Sequence, residues 1–103
     1  MSFTKTKTFT SATTGVFPLV DVVFFGAGAA NQTGTIPTNL MQIGQTIKVK
    51  KNTNATGTLT LQAAVGQIQA LANTLGATTT LAAAGNFGSS VEFLWNGTAL
   101  LRI

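Results

Sequence analysis

The closing stretch of the chain, SSVEFLWNGTALLRI, sets the tightest limit on what it can fold into. Asn-Gly is the favoured pair for a two-residue type I′ turn, because both central positions need positive φ. With Asn96 and Gly97 in those positions, Trp95 faces Thr98, Phe93 faces Leu100 and Val91 faces Arg102. The other face of this ribbon carries Leu94, Ala99, Leu101 and Ile103, with Glu92. A small antiparallel sandwich keeps one face of each sheet wet. Here both faces are largely apolar. One can close the chain's own core; the other needs a second cover, and a copy of the same chain is the simplest. Phe93, Trp95, Leu101 and Ile103 are therefore the candidates for self-association. For Phe93 and Trp95 plain core packing is the competing role, and the commoner one for large aromatics.

The rest of the chain also runs on a period of two. FTKTKTFT, residues 3–10, alternates threonine with Phe and Lys, the pattern of a peripheral or partner-contacting strand. VFPLVDVVFF is nearly continuously apolar and predicts a strand from Leu19 to Phe25, buried on both faces, with Pro18 at its start, an edge or a bulge. GAGAANQTGT, Gly26 to Thr35, reads as a loop. Its Gly26-Ala27-Gly28 lacks the third glycine and the following helix that a dinucleotide site requires. GQTIKVKKN, with Ile47 and Val49 inward, and TLTLQ, with Leu59 and Leu61 on one face, flank the turn cluster NTNATG and read as a hairpin. Val65 to Leu75 fits helical spacing or a short strand, and its strand-rich neighbours favour the strand. Ala77 to Gly85 is a threonine-rich strand running into a turn. The expected fold is all-β: a single small antiparallel β-sandwich or barrel over residues 1–103, with 1–15 a possible N-terminal arm or attachment strand.

Composition narrows the chemistry. Only 8% of residues are charged, against about 25% in a typical soluble domain. The surface must then be made of Thr, Asn, Gln, Ser and Gly, or be covered by partners. There is no Cys, His or Tyr, so disulfides, thiolate metal sites and imidazole bases are excluded. Asp21 and Glu92 are the side-chain carboxylates, and nothing in the sequence makes them converge. The expectation is a protein that is not an enzyme and has no cofactor or metal. Net charge is +4. Lys48 and Lys50 share a strand face, which reads as a solvated face with edge-protecting lysines. No aromatic residue interleaves with Lys48, Lys50 and Lys51 in sequence, which weakens a single-stranded nucleic-acid reading. No signal peptide is visible. The apolar run from Val16 to Ala30 is too short to span a bilayer and contains Pro18 and Asp21.

Four stretches carry a family resemblance: GQTIKVKKNTNATGTLTL, GQIQAL, TTTLAAAG and SSVEFLWNGTALLRI. Together they resemble small β modules of tailed-bacteriophage virion proteins, which recur in tail-fibre and spike tips, head fibres and capsid decoration (cement) proteins. That pattern has a G-q-t-I-x-V-k-N strand, a turn, a T-L-T-L strand, a glycine-punctuated middle and a closing S-V-x-L-x-w-d-G-T segment. Here Gly44 to Asn52, Thr58 to Leu61, Thr80 to Gly85 and Ser90 to Ile103 occupy those positions. The resemblance covers Gly44 to Ile103 and not the residues before. Leu100 or Leu101 stands where the family pattern has an aromatic in the last strand. The resemblance implies a homotrimer attached to a virion.

Three functions follow from different classes. The first is a capsid decoration protein, trimeric, contacting the major capsid protein through Phe3, Lys5, Lys7 and Phe9 and the threonine-rich strands. The chain begins at Met1 with no long coiled-coil or β-helical shaft, which favours decoration over a fibre. The second is a receptor-binding or adhesion module of a tail or head fibre, with Gly26 to Thr35 and Asn52 to Gly57 as its binding loops. A small nucleic-acid-binding barrel resting on Lys48, Lys50 and Lys51 ranks last.

Overall fold

Alternating β-favouring residues give eleven strands among the described residues of the computed structural model, which are 4–9, 15–52, 55–64, 67–69, 75–76, 78–81 and 90–103. In chain order the strands are β1 (Thr6–Thr8), β2 (Gly15–Val16), β3 (Val22–Phe25), β4 (Gln32–Ile36), β5 (Thr46–Lys51), β6 (Leu59–Ala63), β7 (Gln67–Gln69), β8 (Leu75–Gly76), β9 (Thr78–Leu81), β10 (Ser90–Trp95) and β11 (Ala99–Arg102). A 3₁₀ turn, Thr38–Leu40, lies between β4 and β5. The expected all-β class is what the chain adopts.

The strands form two sheets. One has seven strands in the order β1-β3-β5-β10-β11-β7-β8, the other four in the order β2-β4-β6-β9. Both are mixed, which corrects the expected antiparallel arrangement. β1/β3, β3/β5, β7/β11, β2/β4 and β4/β6 are parallel; β5/β10, β10/β11, β6/β9 and β7/β8 are antiparallel. The reason lies in the path of the chain. From β1 to β6 it crosses from one sheet to the other after every strand. A strand's neighbour is therefore the one two before it, running the same way. The first six strands stack as three rungs of a coil, although no β-helical shaft was expected.

The same winding undoes the hairpin expected from Gly44 to Gln62. β5 lies in the seven-stranded sheet and β6 in the four-stranded one, so they do not pair. The segment between them is a crossing rather than a reversal. Gln32 to Thr35, expected within a loop, form with Ile36 the β4 strand between β2 and β6. Of Val65 to Leu75, the described part is strand, at β7 and the start of β8. Of Ala77 to Gly85, Thr78 to Leu81 is the described strand β9.

The core lies between the sheets. Val23, Phe25, Ile47, Val49, Val91, Phe93, Trp95, Ile68 and Leu100 enter it from the larger sheet, and Ile36, Leu59 and Leu61 from the smaller. Ile47 and Val49, and Leu59 and Leu61, point inward as their alternation required. Phe17, just past β2, is also buried; its N–H donates to Thr35 O at 2.8 Å and its ring lies across Gly34. A Cβ at Gly34 would overlap that ring, so the residue opposite Phe17 has to be glycine.

The closing hairpin forms, but one step along from the expected turn. Trp95 pairs with Leu100 and Phe93 with Arg102, which makes Gly97 and Thr98 the loop. Gly97 supplies the positive φ, at +94°. Asn96 precedes the loop, and its Oδ1 accepts from the N–H groups of Thr98 and Ala99, at 2.8 and 2.7 Å. An asparagine that bonds its own following backbone is a turn in its own right, and this outweighs the two-residue Asn-Gly preference. The shift moves each pairing by two positions, so every side chain keeps its expected face.

Candidate functional site

Period two assigns each side chain of the closing hairpin to one face, and the packing decides which face is spent. Phe93 is fully buried and Trp95 is 6% exposed, inside the chain's own core. Both leave the self-association set, corrected to the core role that was their alternative. On the outward face Leu94 pairs with Leu101, both half-buried, and the Ile103 N–H donates to Glu92 O at 3.0 Å. Ile103 is 68% exposed. Leu101 and Ile103 therefore form, with Leu94, an outward apolar group that the described chain leaves partly open.

The second expected set sits at the β1 edge of the same sheet, separated from β10 by β3 and β5. Phe3 lies outside the described residues. Lys5 and Lys7 are exposed, and Phe9 is half-buried against the core. Its ring stands 5.6 Å from that of Phe17 and 6.0 Å from that of Phe25. Phe9 is thus the anchor that holds the N-terminal strand rather than a free contact. The Lys7 ammonium lies 5.7 Å from the Phe9 ring centroid, within cation–π range. Asp21 fixes the start of β1: its Oδ2 accepts from the Lys5 N–H at 2.8 Å, and the Asp21 N–H donates back to Lys5 O at 2.9 Å. Residues 4–9 of the expected arm are therefore a docked edge strand.

The lysines of β5 divide. Lys48 and Lys50 are exposed on the outward face, whereas Lys51 is 1% exposed and points inward beside Phe25. The three do not make one patch. The parallel pairing of β3 with β5 sets Val22 beside Lys48 and Phe24 beside Lys50, with Glu92 opposite Lys48 on the far side. An aromatic does neighbour Lys50 across the sheet, although none interleaves with the lysines in sequence. Val22-Val23-Phe24-Phe25 showed which residues shared a face, but not which strand would lie alongside.

The two loops expected to bind a receptor meet through residues 28–31 and 55–58, while residues 53 and 54 of the second lie outside the described residues. Gly28 bridges Ala55, and its carbonyl accepts from the Thr56 N–H at 2.8 Å and from Thr56 Oγ1 at 3.2 Å. Asn31 Oδ1 accepts from the Thr58 N–H at 3.0 Å. Sequence reasoning missed Leu40 and Ile43, which are 58% and 76% exposed in the connection from β4 to β5. Their segment is weakly patterned, and no signal separated inward from outward positions there.

The two carboxylates belong to different strands of the large sheet, Asp21 before β3 and Glu92 in β10, with β5 between them. Among the described residues no group of three potential metal ligands occurs, and no helix is long and apolar enough to cross a membrane. These features define an all-β chain of two mixed sheets, with an exposed apolar group on the outward face of its closing hairpin and exposed lysines at its β1 margin. Comparison with family models, with curated proteins and with solved structures finds no match.

Proposed function

We propose that this chain is a structural virion protein, a capsid decoration (cement) protein that binds the outer capsid surface as a homotrimer and stabilises the shell. It works by contact and carries out no catalysis. The observation that carries the reading is the apolar face of the closing hairpin turned away from the core, with Ile103 68% exposed beside Leu101 and Leu94. Covering the open part of Ile103 alone would contribute about 1–2 kcal/mol per subunit before ordering costs. Sparse charge, absent imidazole and thiol chemistry, and the resemblance of Gly44 to Ile103 to virion modules support the same reading. The major capsid protein is the partner, met through the β1 margin with Lys5 and Lys7.

The test is the mass of the purified chain in solution, alone and with empty shells. A trimer that pellets with shells and raises their resistance to heat is expected. A strict monomer that stays in the supernatant would end the proposal. The juxtaposition of residues 26–31 with 55–58 favours a second reading, a receptor-binding module of a tail or head fibre. Binding to a glycan array that is lost when these loops are replaced would select it.

A further inference from the structure

The backbone of β1 has one side in use and one side open. Lys5 O accepts from the Val22 N–H and the Phe9 N–H donates to Phe24 O, at 3.1 and 2.9 Å. In a parallel ladder the bonding groups alternate sides residue by residue. Lys5, Lys7 and Phe9 therefore bond towards β3, and the N–H and C=O groups of Thr6 and Thr8 point away from it. Among the described residues no strand lies on that side, and Thr6, Lys7 and Thr8 are all exposed. Two donors and two acceptors thus stand in a row at the margin of the large sheet.

The side chains select what can join them. The register of Lys7 with Val23 puts Lys5, Lys7 and Phe9 on the core side of the sheet, at its open margin. A strand laid against β1 would set its own alternate side chains about 5 Å from these. A second copy of β1 would bring lysine against lysine, and inward-pointing charge at an edge is a known guard against self-pairing. A strand with carboxylates in those positions would meet opposite charge instead. This chain has two side-chain carboxylates, and Asp21 already accepts from the Lys5 backbone while Glu92 lies beyond β3 and β5. Neither sits on a strand that could add at this edge, and an acidic strand of a partner protein fits it.

We propose that the β1 edge binds by strand addition an extended acidic segment of a partner protein. Its backbone pairs with Thr6 and Thr8, its alternate carboxylates meet Lys5 and Lys7, and an apolar residue packs beside Phe9. This deepens the attachment reading above and rests on it for the choice of margin. The same two lysines that turn away copies admit the acidic strand, so one feature sets both exclusion and specificity.

The probe is a capped peptide, Thr-Glu-Thr-Glu-Thr-Val-Thr, with its reversed sequence to cover both strand directions. Amide hydrogen exchange in the full chain reports the pairing. Saturating peptide should slow exchange at Thr6 and Thr8 by about tenfold or more, leaving Thr60 in the smaller sheet unchanged. The lysine-for-glutamate peptide should have no effect, and a Lys5→Glu/Lys7→Glu chain should reverse the preference. No slowing at Thr6 and Thr8 overturns the proposal. So does equal slowing by a peptide whose glutamates are adjacent rather than alternating, which would mean charge attraction without pairing. A chain that pellets with shells yet ignores the peptide sinks this proposal and leaves the attachment reading standing.

Discussion

Replacing Gly34 with alanine tests the packing that joins the two sheets at their N-terminal end. Gly34 lies outside the left-handed backbone region, so alanine carries no backbone strain there. Leaving glycine for alanine would by itself favour the fold by about 0.5–1 kcal/mol. Against this, the new Cβ overlaps the Phe17 ring. That ring cannot slide easily, since it is 2% exposed and 4.9 Å from the Phe25 ring and 5.6 Å from that of Phe9. Overpacking a rigid site costs about 1–3 kcal/mol. Full expulsion of the ring sets an upper limit of about 3–5 kcal/mol. After the glycine-to-alanine gain the expected net loss is about 1–4 kcal/mol, which lowers the urea midpoint by on the order of 1 M. The Phe17→Ala background isolates the cause: with the ring gone, Gly34→Ala should be neutral or slightly stabilising, a coupling of about 2 kcal/mol or more. Equal cost in both backgrounds, or a neutral Gly34→Ala in the intact chain, would refute the ring-on-glycine contact.

Asn96→Ala removes the acceptor of two backbone N–H groups and should cost about 1–2 kcal/mol in urea denaturation, while Asn96→Asp, which keeps the oxygen, should cost less. Gly97→Ala meets a φ of +94° and Ile43 Cδ1 at 3.0 Å from the added Cβ, so it should lose at least about 1 kcal/mol. Ile103→Ser should leave the stability of the dissociated chain within about 0.5 kcal/mol yet weaken self-association in sedimentation equilibrium; unchanged association would remove Ile103 from the interface. Lys51→Ala should destabilise by about 2 kcal/mol or more, because it vacates a fully buried stem, whereas Lys48→Ala and Lys50→Ala should each stay within about 0.5 kcal/mol.

Much of the strand content and most inward positions were legible from residue order alone. Ile47 and Val49, Leu59 and Leu61, and Phe93 and Trp95 alternate with polar or smaller neighbours. A period of two places each such set on one face whatever lies next to the strand. The surplus of apolar residues in the closing ribbon was also legible, because both faces of SSVEFLWNGTALLRI carry large hydrocarbon side chains. The missing acid–base inventory needs no structure at all.

Which strand lies beside which was settled only in three dimensions. Ladder hydrogen bonds join backbone groups that every residue but proline carries, so the local pattern is indifferent to the partner. That is why Gly44 to Gln62 could look like a hairpin while β5 and β6 belong to separate sheets. The sideways placement of Phe24 against Lys50, the ring of Phe17 over Gly34 and the open flank of Thr6 and Thr8 all follow from the same parallel winding. Each depends on residues far apart in the chain meeting at a set register, and it is the shared core between the sheets that chooses that register.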